Sequence, residues 1–179
     1  ACVAMVSPVS AGVMYSRHPS PAPGVPGRDG VLINSLWGLG PYVVDGVIRP
    51  DSFLVDRASG EILERFIASK ERMLVSSERG TMQDAPVPPQ LVDQPSLTPE
   101  QVRALAGAAI RLEEHYGQPQ DVEWAVDAQG RVYAGLHDGR VVRIADGKVE
   151  TFANTGGRPL GMDFDAQGNL VLADAYKGL

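Results

Sequence analysis

Thr98-Pro-Glu-Gln-Val-Arg-Ala-Leu-Ala-Gly-Ala-Ala-Ile-Arg-Leu-Glu-Glu-His-Tyr-Gly117, followed at once by Gln118-Pro-Gln-Asp-Val-Glu-Trp-Ala-Val126, decides the fold class. Thr98, Pro99, Glu100 and Gln101 supply an N-cap, an N1 proline, a first-turn acid and a capping-box partner, and Gly117 suits a left-handed helix end. Between them Val102, Leu105, Ala106, Ala109, Leu112 and Tyr116 recur at helical spacing. The text then switches to a period of two. If Val122 and Trp124 are buried on one face of a strand, Asp121, Glu123 and Ala125 share the other. A capped amphipathic helix feeding a strand, in a chain otherwise made of short β-like runs, predicts an α/β (α+β) fold.

Upstream, Cys2 to Val6 and Gly12 to Tyr15 read as two strands separated by a Ser/Pro turn. The proline- and glycine-rich segment His18 to Gly30 reads as a loop. Val31 to Val75 is a mostly β segment, with runs at Val31 to Ile33, Tyr42 to Ile48, Ser52 to Asp56 and Ile62 to Ile67. Asp56 to Gly60 is suited to a hairpin turn. Asp84 to Pro99 holds five prolines and reads as an extended linker.

Composition bounds the rest. The chain has 179 residues, 44% apolar and 21% charged, which is ordinary globular composition for one domain or two small ones. Its net charge of −6 comes with no cluster of lysine and arginine, which argues against nucleic acid as a partner. One cysteine, Cys2, cannot form an internal disulfide, and no apolar run approaches the roughly 20 residues needed to cross a bilayer. A cytoplasmic protein without a membrane partner is expected. The opening Ala-Cys-Val-Ala-Met-Val reads as a strand in mid-course, as in an excised fragment.

Downstream, Asp127-Ala-Gln-Gly-Arg-Val-Tyr133 recurs as Asp165-Ala-Gln-Gly-Asn-Leu-Val171, with alternating runs at Arg140 to Ile144 and Lys148 to Phe152 between them. A repeat near 40 residues with short strands fits a propeller blade, while Asp-x-x-Gly is equally at home in two unrelated hairpins.

Three segments carry a resemblance. Ser10-Ala-Gly-Val-Met-Tyr-Ser-Arg-His-Pro19, Leu36-Trp-Gly-Leu-Gly-Pro-Tyr-Val-Val-Asp-Gly46 with Pro50-Asp51, and Glu114-His-Tyr-Gly-Gln-Pro-Gln-Asp-Val-Glu-Trp124 resemble, in order, motifs of the phosphoenolpyruvate synthase and pyruvate, phosphate dikinase family. The resemblance covers residues 1–133 and implies a partial ATP-grasp-like domain that binds ATP and Mg²⁺ and serves phosphoryl transfer toward pyruvate. It makes Glu123 the metal ligand, with Asp121, Arg17, Gly38 and Gly40 as further nucleotide-site residues. Read without it, Asp121 and Glu123 equally suit a solvated strand face, Gly38-Leu-Gly40 a tight turn, and Arg17 an exposed loop. Hard carboxylate oxygens suit Mg²⁺, and an arginine fork suits phosphate.

The departures from that family are also specific. Pro41 stands where an acid often follows the second glycine, and Val3 where a glutamine is expected. Ala134-Gly-Leu-His-Asp-Gly-Arg140 replaces a Leu-Gln-x-Arg segment. None of His18, His115 and His137 suits the family's carrier phosphohistidine. The phosphate-clamping lobe and the phosphohistidine domain are therefore expected on another chain, and activity of these residues alone is not expected. From about Asp127 onward, Tyr133 to Ile144, Gly156-Gly-Arg-Pro-Leu-Gly161 and Leu172 to Leu179 resemble strictosidine-synthase-like six-bladed propellers. Residues 134–179 are accordingly expected to form antiparallel hairpins derived from a propeller blade, joined to the first part as a chimera. In this part Asp163, Asp165, Asn169 and Asp174 read as turn residues at strand ends rather than metal ligands. A lactonase-like hydrolase or a non-catalytic interaction module is the alternative function.

Overall fold

The computed structural model describes residues 9–19, 29–76, 81–136, 138–145, 148–164 and 170–178. The expected strand from Cys2 to Val6, Val3 itself, most of the loop from His18 to Gly30, and His137, Asp165 and Asn169 lie outside the described residues.

Among the described residues, twelve strands and two α-helices follow one another along the chain. They are β1 (Ser10–Tyr15), β2 (Val31–Trp37), α1 (Pro41–Val44), β3 (Asp51–Val55), β4 (Ile62–Phe66), β5 (Arg72–Ser76) and β6 (Met82–Pro86). Then come a 3-10 turn (Pro89–Leu91), α2 (Pro99–Tyr116), β7 (Asp121–Val126), β8 (Val132–Gly135), β9 (Arg140–Ala145), β10 (Lys148–Asn154), β11 (Pro159–Phe164) and β12 (Leu170–Asp174). Eight strands form one antiparallel sheet in the order β10-β9-β8-β7-β1-β2-β3-β4, while β5–β6 and β11–β12 are separate hairpins. The architecture is mixed α/β, with mostly antiparallel sheet and few helices.

Helix α2 begins and ends as its sequence dictates. The Gln101 amide donates to Thr98 Oγ1 and the Thr98 amide donates to Gln101 Oε1, closing the capping box, and Gly117 takes φ 68° at the C-terminus. Its buried residues Val102, Leu105, Ala106 and Ala109 pack on the sheet face that carries Met14, Ile33, Phe53, Val122, Trp124 and Val142. At the centre of this face Gly12 is required sterically. A Cβ there would collide with the Asn34 carbonyl and stand 2.7 Å from Trp124 Cζ2.

The chain leading into α2 is pinned by a buried charge. Lys70 Nζ donates to Asp51 Oδ1 (2.6 Å) and to the Ala68 carbonyl (2.7 Å), and both members of the pair are fully buried. Asp51 also accepts from the amides of Ala68 and Ser96 and from the Ser96 hydroxyl, which in turn meets Ser35 Oγ at 2.7 Å. Every polar atom of this pair thus has a partner, the condition under which a buried ion pair is tolerated. It ties β3 to Ser96, two residues before the Thr98 cap.

Two expectations need correction. Tyr42 to Ile48 is not β structure: Pro41 opens the four-residue helix α1, and the β-branched Val44 at its end and Val47 beyond it remain exposed. Proline at the first helical position and the amide-to-carbonyl bonds Val43 to Gly40 and Asp45 to Pro41 outweigh the β propensity of the valines. Nor is Asp84 to Pro99 wholly extended linker. Its first residues complete β6, paired with β5, and Pro89–Leu91 makes a 3-10 turn. Elsewhere the expected turn at Asp56 joins β3 to β4, with Asp56 Oδ1 accepting from the Ala58 and Ser59 amides. The runs at Arg140 and Lys148 are β9 and β10, an antiparallel hairpin hydrogen-bonded to β8, so that the main sheet continues through residues 133 and 134 without a break.

Candidate functional site

The face of the sheet opposite α2 carries the odd-numbered residues of β7. Ala125 packs there with Ala11, Tyr133, Val141 and Met162, while Glu123 is half-buried and Asp121 exposed. Cross-strand register sets Val13 beside Glu123 and Tyr15 beside Asp121. Two structures border this strip. On the β1–β2 side, α1 packs on the sheet and Gly40 lies against Ala11, whose Cβ is 3.8 Å from where a Cβ of Gly40 would be. On the β7–β8 side lies β11, and the Pro159 carbonyl comes so close to Gly135 that a Cβ there would stand 2.7 Å from it. The β7–β8 register runs from Trp124 opposite Ala134, which sets Gly135 next to the position of Glu123. Arg158, one residue before Pro159, is thereby near enough for its charge to act on both carboxylates.

The electrostatics follow from that geometry. Burial raises the Glu123 pKa, and the neighbouring Asp121 charge raises it further, while Arg158 pulls it back. Asp121 is also raised by burial and moderated by Arg158. Tyr15 beside them is raised by burial and by the Asp121 charge. Among the described residues neither carboxylate accepts a hydrogen bond. Paired, partly desolvated carboxylates with free lone pairs form a donor set that a hard divalent cation fits, the remaining positions falling to water or phosphate oxygens. Among the described residues no group of three or more His, Cys, Asp or Glu gathers for a metal.

The other expected site residues fall in different places. Arg17 does not join the strip: its Nε donates to Glu113 of α2 (2.9 Å) and its Nη1 to Asp29 (2.7 Å). Arg57 donates to the same Glu113 from Nη2 (2.9 Å) and also to the Ser16 carbonyl. Burial alone would raise the Glu113 pKa, but hydrogen bonds from Ser16 and Arg17 and the charges of both arginines carry it below its usual range. Gly38 takes φ 75° and donates its amide to the Val9 carbonyl, and the Leu39 amide goes to Leu74, so the turn's first two donors are engaged within the protein. Gly40 borders the strip as the residue before α1. Arg158 was missed by the sequence reading. Its only signal was its place in Gly156-Gly-Arg-Pro-Leu-Gly161, a segment with a different resemblance. Asp174 serves a turn: its carboxylate accepts from Thr155 Oγ1 (2.5 Å) and from the Tyr176 and Lys177 amides. Asp163 lies in β11.

The family model described as pyruvate phosphate dikinase, AMP/ATP-binding domain, matches residues 1–134. The chain belongs to that family. Within it, the chain is 40% identical over 147 residues to a probable phosphoenolpyruvate synthase of Methanothermobacter thermautotrophicus, an overlap of 82% of this chain and 20% of the relative. It is 36% identical over 136 residues to the phosphoenolpyruvate synthase of Pyrococcus furiosus, covering 72% of this chain and 16% of the relative. It is also 40% identical over 122 residues to the prodigiosin synthesizing transferase PigC of Serratia marcescens, covering 68% and 13%. The chain thus spans at most a fifth of the length of these relatives. Strands β1 to β8 and α2, with both carboxylates and the glycine turn, lie almost wholly within the matched segment, whereas Arg158 lies beyond it. Among the described residues no helix is long and apolar enough to cross a membrane.

Proposed function

We propose that the strip of Glu123 and Asp121 is the Mg²⁺- and triphosphate-binding face of an ATP-grasp-like unit in an ATP-dependent phosphotransferase of the phosphoenolpyruvate synthase or pyruvate, phosphate dikinase type. The observation that carries this reading is the pair of side-by-side carboxylates with no hydrogen-bond donor among the described residues, on strand β7 of an AMP/ATP-binding family domain. Glu123 would hold Mg²⁺, with Asp121 beside it. The bound ion would supply charge neutralisation between phosphate oxygens, which is the main demand of phosphoryl transfer. Arg158 would face the phosphates as the nearby cation, and Gly40 would let the backbone approach at the strip's border. Arg17 would act on the site only through the position of β1, since its guanidinium is held by Glu113 and Asp29.

The phosphate acceptor, pyruvate, and the carrier histidine are assigned to parts outside these 179 residues, as are the remaining cationic clamps. The assembled enzyme is read as cytoplasmic. Residues 1–133 form the nucleotide-binding unit in this reading. Residues 134–179 are a segment of propeller-blade ancestry whose first hairpin extends the same sheet and whose second walls the strip. The test is calorimetric titration of ATP with and without Mg²⁺. Weak binding that needs Mg²⁺ and disappears in Glu123→Gln, but survives in Asp174→Asn, supports the reading. Equal Mg²⁺ dependence in wild type and Glu123→Gln would reduce Glu123 to a solvated strand residue.

A further inference from the structure

The sheet face that carries Glu123 continues across β1 to a polar couple, Asn34 on β2 and Ser52 on β3. Val13 pairs with Glu123 on one side and with Asn34 on the other, so the three side chains stand in one row on one face. Ser52, directly opposite Asn34, extends the row. Two strand spacings, about 9.6 Å, separate the backbones at Asn34 and Glu123.

Asparagine is depleted in strands, yet Asn34 occupies the middle of β2 inside the eight-stranded sheet, with Leu32 and Leu36 as its neighbours on that face. The backbone ladder already joins β2 to β3 at this point, so strand pairing does not need the side-chain bond between the two residues. What the bond does is orient the amide. The Ser52 hydroxyl donates to Asn34 Oδ1 at 2.7 Å, which leaves Nδ2 on the other edge of the amide, and Nδ2 has no acceptor among the described residues. Asn34 is half-buried, as Glu123 is. An oriented, unused N–H donor in line with a cation-seeking carboxylate suits a ligand that only accepts, such as a phosphate oxygen. Being neutral, it adds a donor without adding charge. Arg158 acts on the same carboxylates from the β8 side, so a phosphate chain anchored through a metal at Glu123 would meet donors on both flanks.

We infer that Asn34, oriented by Ser52, is a phosphate-binding residue of the nucleotide site, its Nδ2 donating to a phosphate oxygen of the nucleotide whose metal is held at Glu123. The inference rests on the metal and triphosphate reading of Glu123 and extends that site from β7 across β1 to β2 and β3.

Side-chain amide NMR of the full chain, with calorimetry for affinities, tests it using Mg·ATP, Mg·tripolyphosphate and adenosine as probes. The Asn34 Nδ2 signals, assigned by their loss in Asn34→Asp, should shift saturably with Mg·ATP and with Mg·tripolyphosphate but not with adenosine. This shift is read in wild type and does not depend on how well a variant folds. Asn34→Ala should weaken both phosphate ligands about tenfold, the loss of one hydrogen bond to a charged group. Ser52→Ala should weaken them less, and should add nothing to Asn34→Ala. Signals unmoved by either phosphate ligand, a response to adenosine but not to tripolyphosphate, or an unchanged affinity in Asn34→Ala would overturn the inference. If Mg·ATP binding is nevertheless lost in Glu123→Gln, the reading of Glu123 stands and only the role of Asn34 falls. Equal Mg²⁺ dependence in wild type and Glu123→Gln would overturn that reading and this inference together.

Discussion

Glu123 and Asp121 are two like charges on one face of one strand, both partly removed from water and neither hydrogen-bonded by a described residue. Such a pair opposes folding unless a cation joins it. The sign is definite for Glu123. Its pKa in the folded chain is raised, so the folded state holds the proton more tightly than the unfolded state, and stability falls as pH rises from the ordinary glutamate range through the raised value. Glu123→Gln should therefore raise the thermal midpoint at neutral pH in metal-free buffer, and the gain should vanish in acid below the ordinary glutamate pKa. A lower midpoint for the variant at neutral pH would contradict this account. At this scale the sequence was informative where a period-two pattern sufficed, since alternation alone placed Asp121 and Glu123 together. It was uninformative where the partner was remote. Arg17 meets Glu113 across 96 residues, and the charge of Arg158 acts on the carboxylates only because β11 folds over Gly135. No local pattern encodes either meeting.

Among the elements, α2 was the most legible, because its start and stop signals are made by side chains within a few residues of one another. Thr98→Ala removes the acceptor for the Gln101 amide and should cost about 1 kcal/mol, read as a lower denaturant midpoint at unchanged slope. Helix α1 was misread because three valines in six residues favour a strand, while the decisive feature was Pro41 at its first turn. The β11–β12 hairpin has its own acid dependence. Burial would raise the Asp174 pKa, but the Thr155 hydroxyl and the amides of Arg158, Tyr176 and Lys177 more than offset it, holding the group at about 2 against an ordinary 3.8. With the folded value depressed, this stabilisation is fully present above about pH 4 and is lost as pH falls through about 2. Amide exchange at Tyr176 and Lys177 should accelerate over that window, and Asp174→Asn should flatten the dependence. Exchange that is equally pH-independent in both proteins, after correction for intrinsic rates, would show that the carboxylate does not hold the turn.

For the whole molecule, the order β10-β9-β8-β7-β1-β2-β3-β4 is the least legible feature. Pairing of β1 with β7 joins segments more than a hundred residues apart in the chain, and it is this pairing that creates the strip between Val13, Tyr15, Asp121 and Glu123. Sequence placed the carboxylates on a strand; only the topology places them between the glycine turn and the β11–β12 wall. The same sheet carries a face packed by α2, where Trp124, Met14 and Ile33 are fully buried, so a ligand for β7 has access only from the opposite side. Mn²⁺ in place of Mg²⁺ tests that arrangement directly, because a paramagnetic ion broadens NMR signals according to their distance from it. In the presence of ATP, substoichiometric Mn²⁺ should selectively broaden the amides of Val13, Glu123 and Gly135 and leave those of Lys70 and Leu105 sharp, with the effect abolished in Glu123→Gln. Broadening centred on Glu113 or Asp174, or the same pattern in Glu123→Gln as in wild type, would contradict the assignment of the nucleotide–metal site to this face.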